Sequence, residues 1–258
     1  MKRVIFTGKG GVGKTTILSN LARLLVRDGY KVLVIDCDPS MNLAMSLGIP
    51  MNDIITLADD KTRLQEQLGA SLEEHPHAGS EQCDHHIHEF ILDAADGVKL
   101  IVMGTIPFGG AGCLCSHIAL VKLLVAYLSA GPDEYDFIFI DSQAGVEIFG
   151  RGLVSEFDAC FVITEPTPKS LEVAKHGTKL SRDLGVKRQI AVINKVESDE
   201  DIRIARQELD GNVDRVFLMR FCRDVQEADK KGIGLLDHCP KSDALQEFLK
   251  IKECILET

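Results

Sequence analysis

The stretch "GKGGVGKTT", Gly8 to Thr16, limits what this chain can fold into more than any other. It follows the apolar run "RVIFT" and opens the amphipathic run "KTTILSNLARLLVRDG". The spacing G-x-x-x-x-G-K-[ST] between a strand and a helix is that of a phosphate-binding loop. Glycines let backbone N–H groups approach phosphate oxygens without a Cβ in the way. The following helix adds the positive end of its dipole. The loop residues Gly8, Gly10, Gly11, Val12, Gly13, Lys14, Thr15 and Thr16 are therefore the expected nucleotide cradle. Lys14 is expected to reach the β- and γ-phosphates, and the Thr15 hydroxyl to ligate Mg2+.

The rest of the chain suits that loop. Apolar, β-branched runs at 3–7, 31–36, 99–104, 136–141, 159–164, 189–194 and 214–219 read as strands covered on both faces. Amphipathic stretches lie between several of them, and "LEVAKHGTKLSRDLG" ends in a glycine helix stop. The expectation is an α/β fold: a doubly wound, mostly parallel sheet with helices on both faces. All of residues 1–258 are expected to form one P-loop ATPase domain. The polar segment from about 51 to 98 reads as a variable, loosely structured insertion with one or two helices.

Charge and cysteine usage exclude several classes. A net charge of −10 and no lysine- or arginine-rich block disfavour nucleic acid and anionic membrane as partners. No apolar run approaches the roughly 18 residues of a membrane span, and the N-terminus lacks a signal-peptide pattern. A cytoplasmic location is expected. Eight cysteines in a reducing compartment are not a disulfide framework. Cys160 and Cys254 lie in apolar patterns and read as small buried hydrophobes. Only Cys113 and Cys115, in "GGAGCLC", have the spacing of metal ligands.

The second lysine of the loop, Lys9, makes it resemble the deviant Walker A loop of the MinD, ParA and nitrogenase-iron-protein superfamily. In that family the extra lysine reaches across a nucleotide-sandwich dimer to the partner's phosphates, so the resemblance implies a homodimer. Further landmarks follow in order. "VIDCDPSMNLA" (34–44) resembles switch I, with Asp38 as the carboxylate that orients the attacking water. "FIFIDSQAG" (137–145) resembles the Walker B strand and switch II. There Asp141 would hold Mg2+, and the Gly145 N–H would meet the γ-phosphate. "AVINKV" (191–196) resembles the base-recognition strand end, with Asn194 donating to and accepting from adenine. The family's proline-containing loop near the base is replaced by Arg220 and Phe221. By this resemblance Lys9, Lys14 and Asp38 are the catalytic residues.

Within the superfamily, "MGTIPFGGAGCLC" (103–115), "DSQAGVEIFGRG" (141–152) and "EPTPKSLEVA" (165–174) resemble the CooC-type ATPases. Those are maturation factors that deliver nickel to carbon monoxide dehydrogenase. Their marks fall on Cys113 and Cys115, on Ala144 to Glu147, and on Arg151-Gly152. The resemblance implies a Mg2+-dependent, ATP-driven dimer that serves carbon monoxide dehydrogenase or acetyl-CoA synthase as client. One C-x-C supplies two thiolates, and a two-fold dimer sets a second pair against the first. Four sulfurs suit Zn2+ and also Ni2+. Two alternatives stay open: a nucleotide switch that recruits a partner protein without metal, and an electron-transfer ATPase with an iron–sulfur cluster. "CDHHIHEF" offers Cys83, His85, His86 and His88, read as a solvated polar loop or, alternatively, as an auxiliary metal-capturing tract.

Overall fold

The computed structural model describes residues 1–74, 86–105, 115–130, 134–151, 153 and 157–258. The strands are β1 (Lys2–Gly8), β2 (Val32–Asp36), β3 (Leu92–Asp93), β4 (Lys99–Val102), β5 (Phe137–Asp141), β6 (Ala159–Thr164), β7 (Arg188–Val196) and β8 (Arg215–Arg220). The helices are α1 (Lys14–Arg27), α2 (Asn42–Ser46), α3 (Lys61–Glu74), α4 (Cys115–Ala130), α5 (Pro168–Asp183), α6 (Asp199–Leu209), α7 (Arg223–Lys231), α8 (Leu235–His238) and α9 (Ala244–Leu256). All seven expected strands form, with ends shifted by no more than two residues. The short edge strand β3 has too few residues to show as a pattern.

The strands join one sheet in the order β3-β4-β2-β5-β1-β6-β7-β8. Every pairing is parallel except β3 with β4. Every residue of β2, β5 and β6 is buried, as expected for strands covered on both faces. Alternate side chains enter two separate cores. Val4, Phe6, Val34, Phe139 and Phe161 pack with Leu18 and Leu21 of α1 and with Phe248 and Ile251 of α9. Ile5, Ile35, Ile138, Ile140 and Val162 pack on the other side with Leu64 and Leu68 of α3, Leu124 of α4 and Leu171 of α5.

Helix ends follow the sequence signals. Pro168 opens α5, and Gly185 lies just past it in the left-handed region at φ 81°. The final stretch forms α9, whose Phe248, Ile251, Cys254 and Ile255 are buried. The segment from about 51 to 98 supplies α3 and β3, and its Leu57, Leu64, Leu68, Ile87 and Phe90 are buried in the same core as the sheet. Residues 75–85 of that segment lie outside the described residues.

The sheet order positions the site. The chain runs from β1 to β2 on one side, returns to β5, and then passes to β6 on the other side of β1. A crevice opens at the carboxyl ends of strands where a parallel sheet reverses direction in this way. Gly8, Asp36, Asp141, Thr164 and Val196 are the last residues of β1, β2, β5, β6 and β7, so all five lie at that end of the sheet.

Candidate nucleotide site

The phosphate loop runs from the end of β1 into α1. Gly8, Gly11 and Gly13 take φ values of 149°, 79° and 95°, which disfavour side chains. A Cβ on Gly8 would lie 2.1 Å from the Ile163 carbonyl oxygen of β6. A Cβ on Gly13 would lie 2.5 Å from Asn194 Nδ2. The loop is thus pressed against β6 and β7, which fixes its position relative to the sheet.

Lys14 is buried at 6% exposure, and Thr15 Oγ1 donates to Asp141 Oδ2 at 2.7 Å. Asp141 ends β5 directly beside Asp36 on β2. Asp36 accepts from the Asp38 N–H at 3.0 Å and the Leu43 N–H at 3.3 Å, which ties switch I to the sheet. Burial raises the Asp141 carboxyl to about 6, against the opposing pull of Lys14 and the Thr15 hydroxyl. Burial, followed by the neighbouring Asp141 charge, raises Asp36 well above the usual carboxylate range. Oδ1 of Asp141 is buried and has no hydrogen-bond partner among the described residues. A hard divalent cation fits that arrangement: an unpaired carboxylate oxygen, a hydroxyl and excess buried negative charge.

Asp38 Oδ1 accepts from the Ser40 N–H at 3.0 Å and the Ser40 hydroxyl at 2.7 Å. It therefore closes a local Asx turn, and it also lines the cleft of about 500 Å3 that holds Gly10, Gly13, Lys14 and Thr15. Gly145 is brought to the loop, but its N–H donates to the Gly8 carbonyl at 3.0 Å, and its carbonyl accepts from the Thr7 hydroxyl at 3.1 Å. Contact of that N–H with a γ-phosphate needs the Gly8 bond to open. Lys9 is exposed and has no ion-pair partner among the described residues.

A second cleft of about 270 Å3 adjoins the first and shares Gly11, Gly13, Thr16 and Asp229 with it. Asn194, Arg220 and Phe221 line it, as expected of residues near a base. Asn194 Nδ2 donates to the Val12 carbonyl at 2.8 Å, and its Oδ1 accepts from the Lys195 N–H at 2.9 Å. One N–H and one lone pair of the amide remain for a base.

Cys113 lies outside the described residues, and Cys115 is the first residue of α4. Cys83 and His85 also lie outside them. Among the described residues no group of three or more His, Cys, Asp or Glu side chains is placed to hold a metal ion. Both ring nitrogens of the buried His86 are engaged, one by Gln67 and the other by Asp60 Oδ2 at 3.0 Å, so this ring is a packing residue in the fold. His88 is exposed. Asp36, Glu165 and Lys195 were not singled out as site residues from the sequence. Asp36 had a signal in the D-x-D-P spacing, and Glu165 and Lys195 lie in the quoted segments "EPTPKSLEVA" and "AVINKV", but neither pattern assigns them a role.

Residues 4–236 match the CobQ/CobB/MinD/ParA nucleotide-binding domain family. The chain belongs to this family. The carbon monoxide dehydrogenase accessory protein CooC of Rhodospirillum rubrum is 34% identical over 92% of this chain and 90% of its own length. That match places the chain among the CooC-type P-loop ATPases. An uncharacterised ATP-binding protein of Methanocaldococcus jannaschii is 36% identical over 77% of this chain and 76% of its own length. The solved structure of the Pyrococcus furiosus cell division ATPase MinD superposes with a TM-score of 0.72 at 23% identity, covering 100% of this chain and 99% of that one. The fold is that of a MinD/ParA P-loop ATPase, for which ATP and Mg2+ are the implied ligands. No helix among the described residues is long and apolar enough to cross a membrane.

Proposed function

We propose that this chain is an ATP-driven accessory factor in the maturation of carbon monoxide dehydrogenase or acetyl-CoA synthase, with nickel as cargo. The observation that carries the proposal is the likeness to CooC over nearly the whole chain. The Cys113-x-Cys115 pair supports it, because Cys115 opens α4, and α4 leads into the strand that ends in Asp141. Cys115 thus lies one helix and one strand ahead of Asp141 in the chain. The working unit is one ATPase domain, acting in the cytoplasm as a homodimer without nucleic acid or membrane.

Lys14 binds the β- and γ-phosphates, and the loop N–H groups surround them. Lys9 of one protomer supplies positive charge to the phosphates held by its partner, where charge develops in phosphoryl transfer. Asp38 orients the attacking water. Thr15 and Asp141 would hold Mg2+, which neutralises phosphate charge when bound. Asn194 contacts the base, beside Arg220 and Phe221. Gly145 leaves the Gly8 carbonyl for the γ-phosphate and so senses the nucleotide. Closure of the dimer brings two Cys113/Cys115 pairs together, and the four thiolates take Ni2+ or Zn2+. Hydrolysis is slow until the client completes the closed state.

Elemental analysis of protein purified without oxygen tests the cargo. About one nickel or zinc per two chains is expected, and it is lost in Cys113→Ala/Cys115→Ala while slow ATP hydrolysis persists. Unchanged metal content in that variant refutes the thiolate site. Protein with neither metal nor visible colour would instead be a metal-free nucleotide switch, and cluster absorption would indicate electron transfer.

A further inference from the structure

Strand β7 breaks register between Ile193 and Val196, and Lys195 takes the left-handed backbone at φ 58°. That conformation is unfavourable for a side chain with a Cβ. The Asn194 side chain supports it by accepting the Lys195 N–H at 2.9 Å. In a regular strand Asn194 and Lys195 would point to opposite faces. A bulge re-aims side chains, and here both reach the phosphate loop. Asn194 Nδ2 donates to the Val12 carbonyl at 2.8 Å, and Lys195 Nζ donates to the Gly11 carbonyl at 2.8 Å. The same ammonium meets Glu165 Oε1 at 2.6 Å, just past the end of β6. Glu165 opens the "EPTPKS" motif, for which the nucleotide chemistry otherwise has no use.

In a trans peptide the C=O and N–H point in opposite directions, and the described residues contain no cis bond. Holding the Gly11 carbonyl against Lys195 therefore turns the Val12 N–H the other way. Holding the Val12 carbonyl against Asn194 does the same for the Gly13 N–H. Glu165 neutralises the ammonium, so the pair adds no net attraction for phosphate. Its effect is orientation.

We propose that Lys195, anchored by Glu165, is a positioning residue that fixes the Gly11–Val12 peptide plane, so that the loop presents its N–H groups to the diphosphate of the nucleotide. This rests on nucleotide binding at the loop, which the unaltered protein reports in the same titration. The test is the Kd for a fluorescent ADP, with inorganic pyrophosphate as a base-free competitor. Lys195→Met should weaken both ligands by the same factor, about tenfold for a charge-assisted hydrogen bond. Lys195→Arg should recover most of that loss. Glu165→Gln should weaken both by about threefold, as for a half-exposed ion pair. In the Lys195→Met background Glu165→Gln should add nothing further, because it acts through the lysine. An unchanged Kd in Lys195→Met would overturn the proposal. So would a loss confined to ADP, which would mean a base contact, or a full additive effect of Glu165→Gln. If Lys195→Met does not fold, Glu165→Gln alone decides, and unaltered affinity there would overturn it.

Discussion

Asp36 and Asp141 stand side by side, buried, with one lysine near the pair. Burial disfavours their charged forms. Asp141 has a carboxyl pKa near 6 in the fold against 3.8 for the free group. The folded state therefore holds this proton more tightly, and the stability it contributes is full below 3.8 and is lost as pH rises through about 6. A Mg2+ held by Asp141 would reverse the balance, because it needs the carboxylate. Thermal stabilisation by Mg-ADP should be larger at about pH 7.5 than at about pH 5, and Asp141→Asn should abolish the difference. Equal stabilisation at both pH values would show that Asp141 is not the group concerned. Gly8 gives a second test at this scale. Gly8→Ala adds a Cβ 2.1 Å from the Ile163 oxygen at a φ of 149°. It should cost about 2–3 kcal/mol through strain and displaced backbone, read as a lower Tm with or without nucleotide.

Among the elements, α1 is the one that must stay in register with the rest, because it begins at the phosphate loop. Arg23, near its centre, is 2% exposed. Its guanidinium bonds Asp237 of α8 with both terminal nitrogens, at 2.6 and 2.7 Å, and Asp96 of the turn before β4 at 2.6 Å. Two separate segments are thereby tied to one helix. The Arg23 hydrogen bond holds Asp237 below the usual carboxylate range. That contribution is present above the unfolded pKa and is lost as pH falls through the depressed one. Arg23→Met should destabilise the fold by about 2–3 kcal/mol, toward the low end for a broken buried pair because Asp237 is 52% exposed. It should also flatten the acid limb of the stability profile. Denaturant unfolding across pH measures both. The clamp of β7 on the phosphate loop is the same kind of device, since a strand end sets the orientation of a loop distant in sequence.

For the whole molecule, charge opposes self-association. Each chain carries −10, so two copies repel at low ionic strength. Lys9, exposed and without an ion-pair partner, offers a positive group on the nucleotide face. Bound ATP should therefore be needed to bring two copies together, and about 0.15 M salt should tighten the dimer by screening. Sedimentation with ATP should show a dimer that Lys9→Ala reduces to monomer without loss of ADP binding. A dimer that forms equally without ATP, or that survives Lys9→Ala, would separate dimerisation from this lysine.

The sequence by itself determined the parallel sheet, its strand runs, the phosphate loop and the acidic end of β5. These are local signals: a β-branched run, a glycine spacing, and an acidic residue at a strand end each act within a few residues. It also carried the CooC-like marks, including the thiolate pair. The tertiary structure alone decided how those pieces are held. His86 reads as a metal candidate in "CDHHIHEF" but is engaged on both ring nitrogens by residues 19 and 26 positions away. Gly145, expected to bind phosphate, has its N–H on Gly8. Lys195 should face away from Asn194 by strand alternation, yet the bulge in β7 turns both toward the loop. Hydrogen bonds between groups distant in sequence depend on strand order and register, which arise only when the two cores close on both faces of the sheet.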